Sequence, residues 1–114
     1  MSLSIYLESK PTDKTELSSE SLFYINITHN LRAMADAAGL YDALWQPETI
    51  GATQAKDIAK ILRKGLNRLI QHPNNYLLLE SRNGWGKYND FLSVISQYAA
   101  ACYRFPDSYI DISI

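Results

Sequence analysis

Polar side chains that could bind a ligand or transfer a proton are concentrated in the segment Asn26-Ile27-Thr28-His29-Asn30. An imidazole titrates near neutral pH, and the flanking amide and hydroxyl groups both donate and accept hydrogen bonds. The segment lies where a strand-like stretch gives way to a helix-like one, and free N–H groups at a helix start favour anions. Two interpretations stay open: a small polar-ligand site formed by Asn26, Thr28, His29 and Asn30, or a capped junction that braces neighbouring loops.

The second unusual segment runs from Asn83 to Tyr88 and reads Asn-Gly-Trp-Gly-Lys-Tyr. A glycine on each side of Trp85 lets the backbone turn sharply, and the indole offers a large apolar surface with one N–H donor. We predict that Trp85 is buried against the last helix and near His29. The ligand-site hypothesis therefore also includes Asn83, Trp85 and Tyr88.

Few residues in the sequence could act as catalytic groups. The chain has two histidines and one cysteine, Cys102, which sits among alanines in a helical pattern and is predicted to be buried and unreactive. No glycine-rich phosphate loop, zinc-ligand spacing or serine elbow occurs. We therefore assign no catalytic residue, no metal ligand and no cofactor, and an enzyme is the less favoured class. One cysteine permits no internal disulfide and favours a reducing, cytoplasmic setting.

Residues 54–71 hold five basic side chains and one acidic one, whereas the whole chain has a formal net charge of −1 and a sequence pI near 6.1. The basic residues lie opposite the apolar stripe of a predicted helix: Lys56, Lys60, Arg63, Lys64 and Arg68. A solvated helix face is the preferred interpretation, and an acidic partner, another copy of this chain included, comes next. A weak nucleic-acid contact stays as an alternative, although we do not expect nucleic acid to be the partner, because no aromatic residues alternate with these cations in sequence.

Hydrophobic periodicity predicts the elements that position these groups. Alternating residues at 4–8, 22–28 and 109–114 indicate strands, and three- to four-residue spacing indicates helices over about 30–45, 54–71 and 87–105. Gly39 should break or bend the first helix, Thr53 should cap the second, and Pro73 should end it. The predicted fold class is α+β, with about three helices packed on one face of a small two- to three-stranded sheet.

Length and composition favour one domain over residues 1–114. The chain is 46% hydrophobic and 20% charged, which is typical of a globular domain. Residues 9–21 are rich in Ser, Thr, Lys and Glu, which predicts a polar, mobile surface loop. The start of the chain has no basic-then-apolar pattern, so we expect no signal peptide, and the apolar runs are too short to span a bilayer.

The sequence resembles a family of small bacterial and phage-associated proteins that has no assigned activity. The likeness covers about residues 24–114, and its most specific parts are the Asn-x-Thr-His-Asn and Asn-Gly-Trp-Gly segments. The further matching segments are Ala43-Leu44-Trp45-Gln46-Pro47-Glu48, Lys64-Gly65-Leu66, and Tyr98 with Ala101-Cys102 before Pro106. The resemblance implies no catalytic residue. It implies that the two most specific segments lie together in the fold.

These observations favour a non-catalytic binding or accessory protein that acts through its surface on an unknown protein partner, with self-association among the options. The alternative is a small polar-ligand site around residues 26–30 and 83–88, which could extend to catalysis. The second alternative is nucleic-acid contact through residues 54–71. We expect no membrane partner.

Overall fold

A three-stranded antiparallel sheet forms the base of the fold. The computed structural model describes residues 2–10, 21–80, 84 and 86–114. The strands are β1 (Ser2–Glu8), β2 (Ser21–Thr28) and β3 (Tyr109–Ser113), in the order β2-β1-β3. The predicted α+β class is confirmed. Each predicted strand is present, with its ends shifted by at most two residues.

The sheet has one apolar and one polar face because side chains alternate along each strand. Leu3, Ile5 and Leu7 of β1 are fully buried. Ile5 lies opposite Ile25 of β2 and Ile112 of β3, so the three strands share one core face. The alternate positions form the other face and carry Ser2, Ser4, Tyr6, Tyr24, Asn26 and Asp111.

Several helices complete the core. Among the described residues they are α1 (Arg32–Ala37), α2 (Tyr41–Trp45), α3 (Ala55–Gln71), α4 (Pro73–Leu77) and α5 (Tyr88–Arg104), with 3₁₀ helices at His29–Leu31 and Pro47–Ile50. The region predicted as one helix over 30–45 is divided at Gly39, whose φ of 74° is left-handed. The sequence did not predict α4 or the second 3₁₀ helix, and Pro73 was interpreted only as the end of the helix before it. Pro47 and Pro73 in fact stand in the first turn of the next helix, a position that proline tolerates.

The start of α3 is fixed by a capping box. The N-cap is Gln54, so the prediction of Thr53 was wrong by one residue. The carboxylate of Asp57 accepts hydrogen bonds from the backbone N–H groups of Gln54 and Thr53, each at 3.0 Å. These two bonds are the main reason that the pKa of Asp57 is lowered.

The two long helices, α3 and α5, pack against each other and enclose much of the core. Leu62 and Leu69 of α3 and Phe91 and Ile95 of α5 are fully buried. The apolar stripe predicted for α3 runs from Ala55 to Ile70. It is correct except at its last residue, because Ile70 is 57% exposed.

The chain segment after α5 is fastened to the start of α3. The N–H of Ala55 donates to the carbonyl of Ser108 at 2.9 Å, and the N–H of Ile110 donates to the carbonyl of Thr53 at 2.9 Å. One side of β3 therefore pairs with β1, and the other side is partly covered by residues 53–54. In the described part of the chain, no helix has both the length and the apolar character needed to cross a bilayer.

Candidate functional site

The strand-to-helix junction is built around a cap. Thr28, the last residue of β2, has an extended backbone, and its hydroxyl accepts a hydrogen bond from the N–H of Asn30 at 3.3 Å. The 3₁₀ helix that follows inserts Leu31 into the core. The cap and the buried leucine fix the position of His29 between them.

Asn26 belongs to the polar face of the sheet. Its side-chain N–H₂ group donates to the hydroxyls of Ser2 at 2.9 Å and Ser4 at 3.1 Å, both on β1. These bonds link β2 to β1 across the polar face, so they give the Asn26 amide a structural role.

His29 is half-buried, but both of its ring nitrogens are out of contact with solvent. Neither nitrogen has a hydrogen-bond partner within the described residues. Burial lowers the pKa of His29, and the positive charge of Arg32 lowers it further. The imidazole is therefore neutral at physiological pH, with one nitrogen able to donate and the other able to accept.

Two more aromatic rings lie beside His29. The ring of Trp45 is 6.1 Å from the imidazole, and the ring of Tyr41 stacks on Trp45 at 5.4 Å with an interplanar angle of 7°. Trp45 is only 4% exposed, and its indole N–H has no partner among the described residues. We name Tyr41, Trp45 and His29 the aromatic stack. It combines apolar ring surfaces with buried nitrogens of His29 and Trp45 that have no hydrogen-bond partner among the described residues.

The Asn-Gly-Trp-Gly segment reaches this junction through its second glycine. Gly86 has a φ of 88°, and a Cβ atom there would lie 3.1 Å from Cβ of Asn30 and 3.4 Å from Leu31. Only a glycine can approach the junction this closely without strain. Asn83 and Trp85 lie outside the described residues, as does most of the polar loop predicted at 9–21.

Tyr88 was included in the ligand-site hypothesis, but its hydrogen bonds are with Leu69 and Glu80. It is buried at the start of α5, and its hydroxyl donates to the carbonyl of Leu69 at 2.5 Å. Its backbone N–H donates to the carboxylate of Glu80 at 2.7 Å. The hydroxyl of Tyr88 thus fastens α5 to the end of α3.

Among the residues named from the sequence, the structure therefore groups His29, Asn30 and Gly86, with Thr28 as their cap. Sequence reasoning missed the contribution of Tyr41 and Trp45 to this site. The available signal was that Tyr41 and Trp45 are four residues apart, just before Pro47. Residues four apart lie on the same side of a helix, so the two rings can stack.

No nucleophile with an adjacent base is visible in the described residues. The thiol of Cys102 is fully buried, and burial raises its pKa to about 12. Within the same residues, no three His, Cys, Asp or Glu side chains are grouped so as to hold a metal ion. The groups described around His29 could take part in binding a ligand by shape and hydrogen bonds.

The basic residues of α3 are exposed, but they are not equivalent. Lys56 pairs with Asp107 at 3.4 Å. Arg68 donates from its guanidinium to the carbonyl of Ala38 at 2.8 Å and so holds the turn after α1. Lys60, Arg63 and Lys64 have no acidic partner in the described part of the chain. These exposures agree with the preferred interpretation of a solvated helix face, and Arg68 in addition joins two elements.

Two grooves flank α5 on different sides. The first, of about 460 Å³, lies beside β2 and is lined by Leu22, Phe23, Gln97, Ala100, Ala101, Arg104 and Phe105. The second, of about 340 Å³, lies between α3 and α5. We name them the β2 groove and the α3–α5 groove.

β2 lies at the edge of the sheet, and its pairing with β1 is irregular between Leu7 and Glu8. It is the outer strand of the sheet, and no described residue pairs with its outer side. Its eight residues contain no charged side chain and no proline. Edge strands usually carry such residues to prevent pairing with other chains.

A comparison with family models, with curated proteins and with solved structures finds no match to this chain.

Proposed function

We propose that this chain is a non-catalytic interaction protein and that β2 is the element it uses, by pairing with β2 of a second copy. The observation that carries this proposal is the outer edge of β2, which no described residue pairs with and whose sequence Ser-Leu-Phe-Tyr-Ile-Asn-Ile-Thr is neutral and free of proline. Unpaired N–H and C=O groups along an edge are a template for another strand.

The symmetry of an antiparallel pair supports a second copy as the partner. Residues directly opposite each other in such a pair point to the same face of the sheet. A two-fold axis through Tyr24 or Ile25 would therefore place the core-facing side chains of both copies on one side. β2 itself carries no charge, so its own side chains bring no like charges together, whereas Arg104 lines the neighbouring groove in each copy.

The β2 groove supports the same surface. Phe23 and Phe105 are only half-buried, and Ala100 is exposed on the neighbouring helix. A strand added beside β2 would place every second side chain over this groove and remove its apolar surface from water. The single buried thiol fits the reducing, cytoplasmic setting that we propose for this protein.

The test is sedimentation velocity over a concentration series up to about 1 mM, a range that detects even weak dimers. We expect a dimer for the wild-type chain and a monomer for Tyr24→Lys, because lysine on an edge strand opposes pairing. The matched control is Tyr103→Lys on α5. The two tyrosines are 51% and 52% exposed, so the same change is made at equal exposure away from the edge.

Should Tyr24→Lys melt early through loss of its ring contact with Tyr6, Ser21→Lys at the exposed start of β2 provides a second variant. A wild-type chain that stays monomeric throughout the series would contradict the proposal. Equal dissociation of the Tyr24→Lys and Tyr103→Lys variants would also contradict it.

The aromatic stack favours a second candidate function, the binding of a small polar molecule. The observation is the set of buried nitrogens of His29 and Trp45 that lack partners in the described residues. Acetamide, which offers one donor group and one acceptor, is a suitable probe. We expect a saturable shift of the Trp45 indole N–H resonance in wild-type protein and none in His29→Ala. An indole resonance that does not move with acetamide would rule this candidate out.

A further inference from the structure

The α3–α5 groove has an apolar floor and a cationic wall. Its lining residues are Lys56, Ala59, Lys60, Cys102, Tyr103 and Pro106. Ala59 and Cys102 are buried in the floor, whereas Tyr103 is 52% exposed. A large exposed aromatic side chain beside a groove is the kind of residue that anchors a partner.

The two lysines of the cationic wall are one helical turn apart and differ in their partners. Lys56 already faces a carboxylate, since its ammonium group lies 3.4 Å from Asp107 at one end of the groove. Lys60 has no acidic partner among the described residues. The Lys56–Asp107 pair shows that a carboxylate can lie beside a lysine of this groove. Lys60 offers an equivalent ammonium group about 6 Å further along α3.

We propose that the α3–α5 groove binds an acidic peptide segment of a partner protein. An apolar side chain of the peptide lies over Ala59 and against Tyr103, and a neighbouring Glu or Asp side chain pairs with Lys60. A second acidic side chain competes with Asp107 for Lys56. Asp107 therefore acts as an internal competitor that weakens binding at its end of the groove.

The charge distribution favours an acidic peptide over nucleic acid. Five of the eleven Lys and Arg residues lie on α3, while the chain as a whole has a formal net charge of −1 and a pI near 6.1. Nucleic-acid binding draws on many phosphate contacts and a basic surface of larger extent. One lysine wall beside an apolar floor matches a peptide that carries few charges.

This site does not depend on the proposed pairing of β2. Cys102 and Tyr103 line the α3–α5 groove, whereas Ala100 and Ala101 line the β2 groove on another side of α5. Both surfaces can be occupied in the same molecule.

The experiment is fluorescence polarisation with a fluorescein-labelled amphipathic peptide in which glutamates flank leucines. The comparison peptide has glutamine in place of each glutamate. We expect saturable binding of the acidic peptide and at least about fivefold weaker binding of the glutamine peptide, since an exposed ion pair changes affinity up to about fivefold and several are removed.

Four variants locate the peptide. Lys60→Gln and Tyr103→Ala should each weaken binding of the acidic peptide, Lys60→Gln by about two- to fivefold. Asp107→Asn should strengthen it by about the same factor, because Lys56 becomes available. The matched control is Lys64→Gln, the same change one turn along α3 at a lysine that does not line the groove; it should leave affinity within about 1.5-fold.

Several outcomes would overturn the proposal. They are equal binding of the acidic and glutamine peptides, equal losses in Lys60→Gln and Lys64→Gln, and no gain in Asp107→Asn. Tighter binding of an oligothymidylate than of the acidic peptide would assign the groove to nucleic acid instead. Circular dichroism spectra of the variants separate loss of affinity from loss of folding.

Discussion

At the scale of single residues, His29 is the group whose surroundings most change its chemistry. Burial and the charge of Arg32 lower its pKa from the ordinary value of 6.5. As pH falls through about 6.5, the unfolded chain takes up a proton at this residue before the folded chain does. The free energy of unfolding contributed by His29 is therefore fully present above that pH and is lost as the pH decreases towards the lowered, folded pKa.

We predict that His29→Gln reduces this loss. The measurement is urea unfolding at a series of values between about pH 8 and pH 5, with the free energy of unfolding plotted against pH for the wild-type chain and the variant. The wild-type curve should fall more steeply on the acid side. His72→Gln is the control for removing a histidine and should keep the wild-type slope, because His29 is still in place. Parallel curves for the wild-type chain and His29→Gln would refute the prediction.

At the scale of elements, the crossing of α3 over the turn before α2 depends on a single glycine. Gly65 lies in the middle of α3, where glycine is intrinsically less favourable than alanine by about 1 kcal/mol. It faces the fully buried Leu40, and a Cβ atom at residue 65 would overlap the Leu40 side chain, with its Cγ only 2.5 Å away. The close approach of these two elements explains why glycine occupies this position.

We predict that Gly65→Ala destabilises the protein by about 1–3 kcal/mol, the range for an overpacked core, despite the better helix propensity of alanine. Urea unfolding provides the measurement. Asn67→Ala, at an exposed position two residues along α3, is the control for helix propensity and should change stability by less than about 0.5 kcal/mol.

A double-mutant cycle tests the physical cause of that effect. In Leu40→Ala, which removes the overlapping atoms, the additional Gly65→Ala change should cost little or should stabilise the helix. An equal cost of Gly65→Ala in the presence and absence of the Leu40 side chain would show that the overlap is not responsible.

At the scale of the whole molecule, Cys102 reports on the integrity of the core. Its thiol is fully buried, and its pKa is about 12, so almost no thiolate exists or is accessible in the folded state. We predict that reaction with a disulfide reagent at about pH 8 is slow in the native protein and fast in denaturant. Cys102→Ser carrying an exposed Ser96→Cys thiol is the control and should react at once. Equally fast labelling of Cys102 in the native chain would contradict its burial.

The sequence was sufficient to predict most of the fold. The alternation at 22–28 identified β2 and its buried face, and the spacing over 54–71 identified α3 to within one residue. Local patterns report local geometry well. The α4 helix was missed because Pro73 ends one helix and begins the next. The N-cap of α3 was assigned to the wrong residue because it depends on a side-chain hydrogen bond of Gln54.

The candidate sites were less accessible from the sequence because they depend on contacts between distant segments. His29 was singled out, but the ring of Trp45 beside it comes from a different helix. Likewise, no aromatic residue alternates with the lysines of α3 in sequence, whereas the fold brings Tyr103 of α5 into the same groove as Lys60. Charge and hydropathy along the chain cannot show which residues meet across an interface between two helices.

The position of β1 has a consequence for how the protein forms during synthesis. β1 leaves the ribosome before β2 and β3, yet it is the central strand, and its second neighbour, β3, lies about a hundred residues later in the chain. The hairpin of β1 and β2 can form early, but one edge of β1 stays open until residues 109–113 have emerged. Pairing over so long a separation is slow. Between the synthesis of β2 and that of β3 the nascent chain therefore carries an open strand edge, and that interval is when it would depend on chaperones.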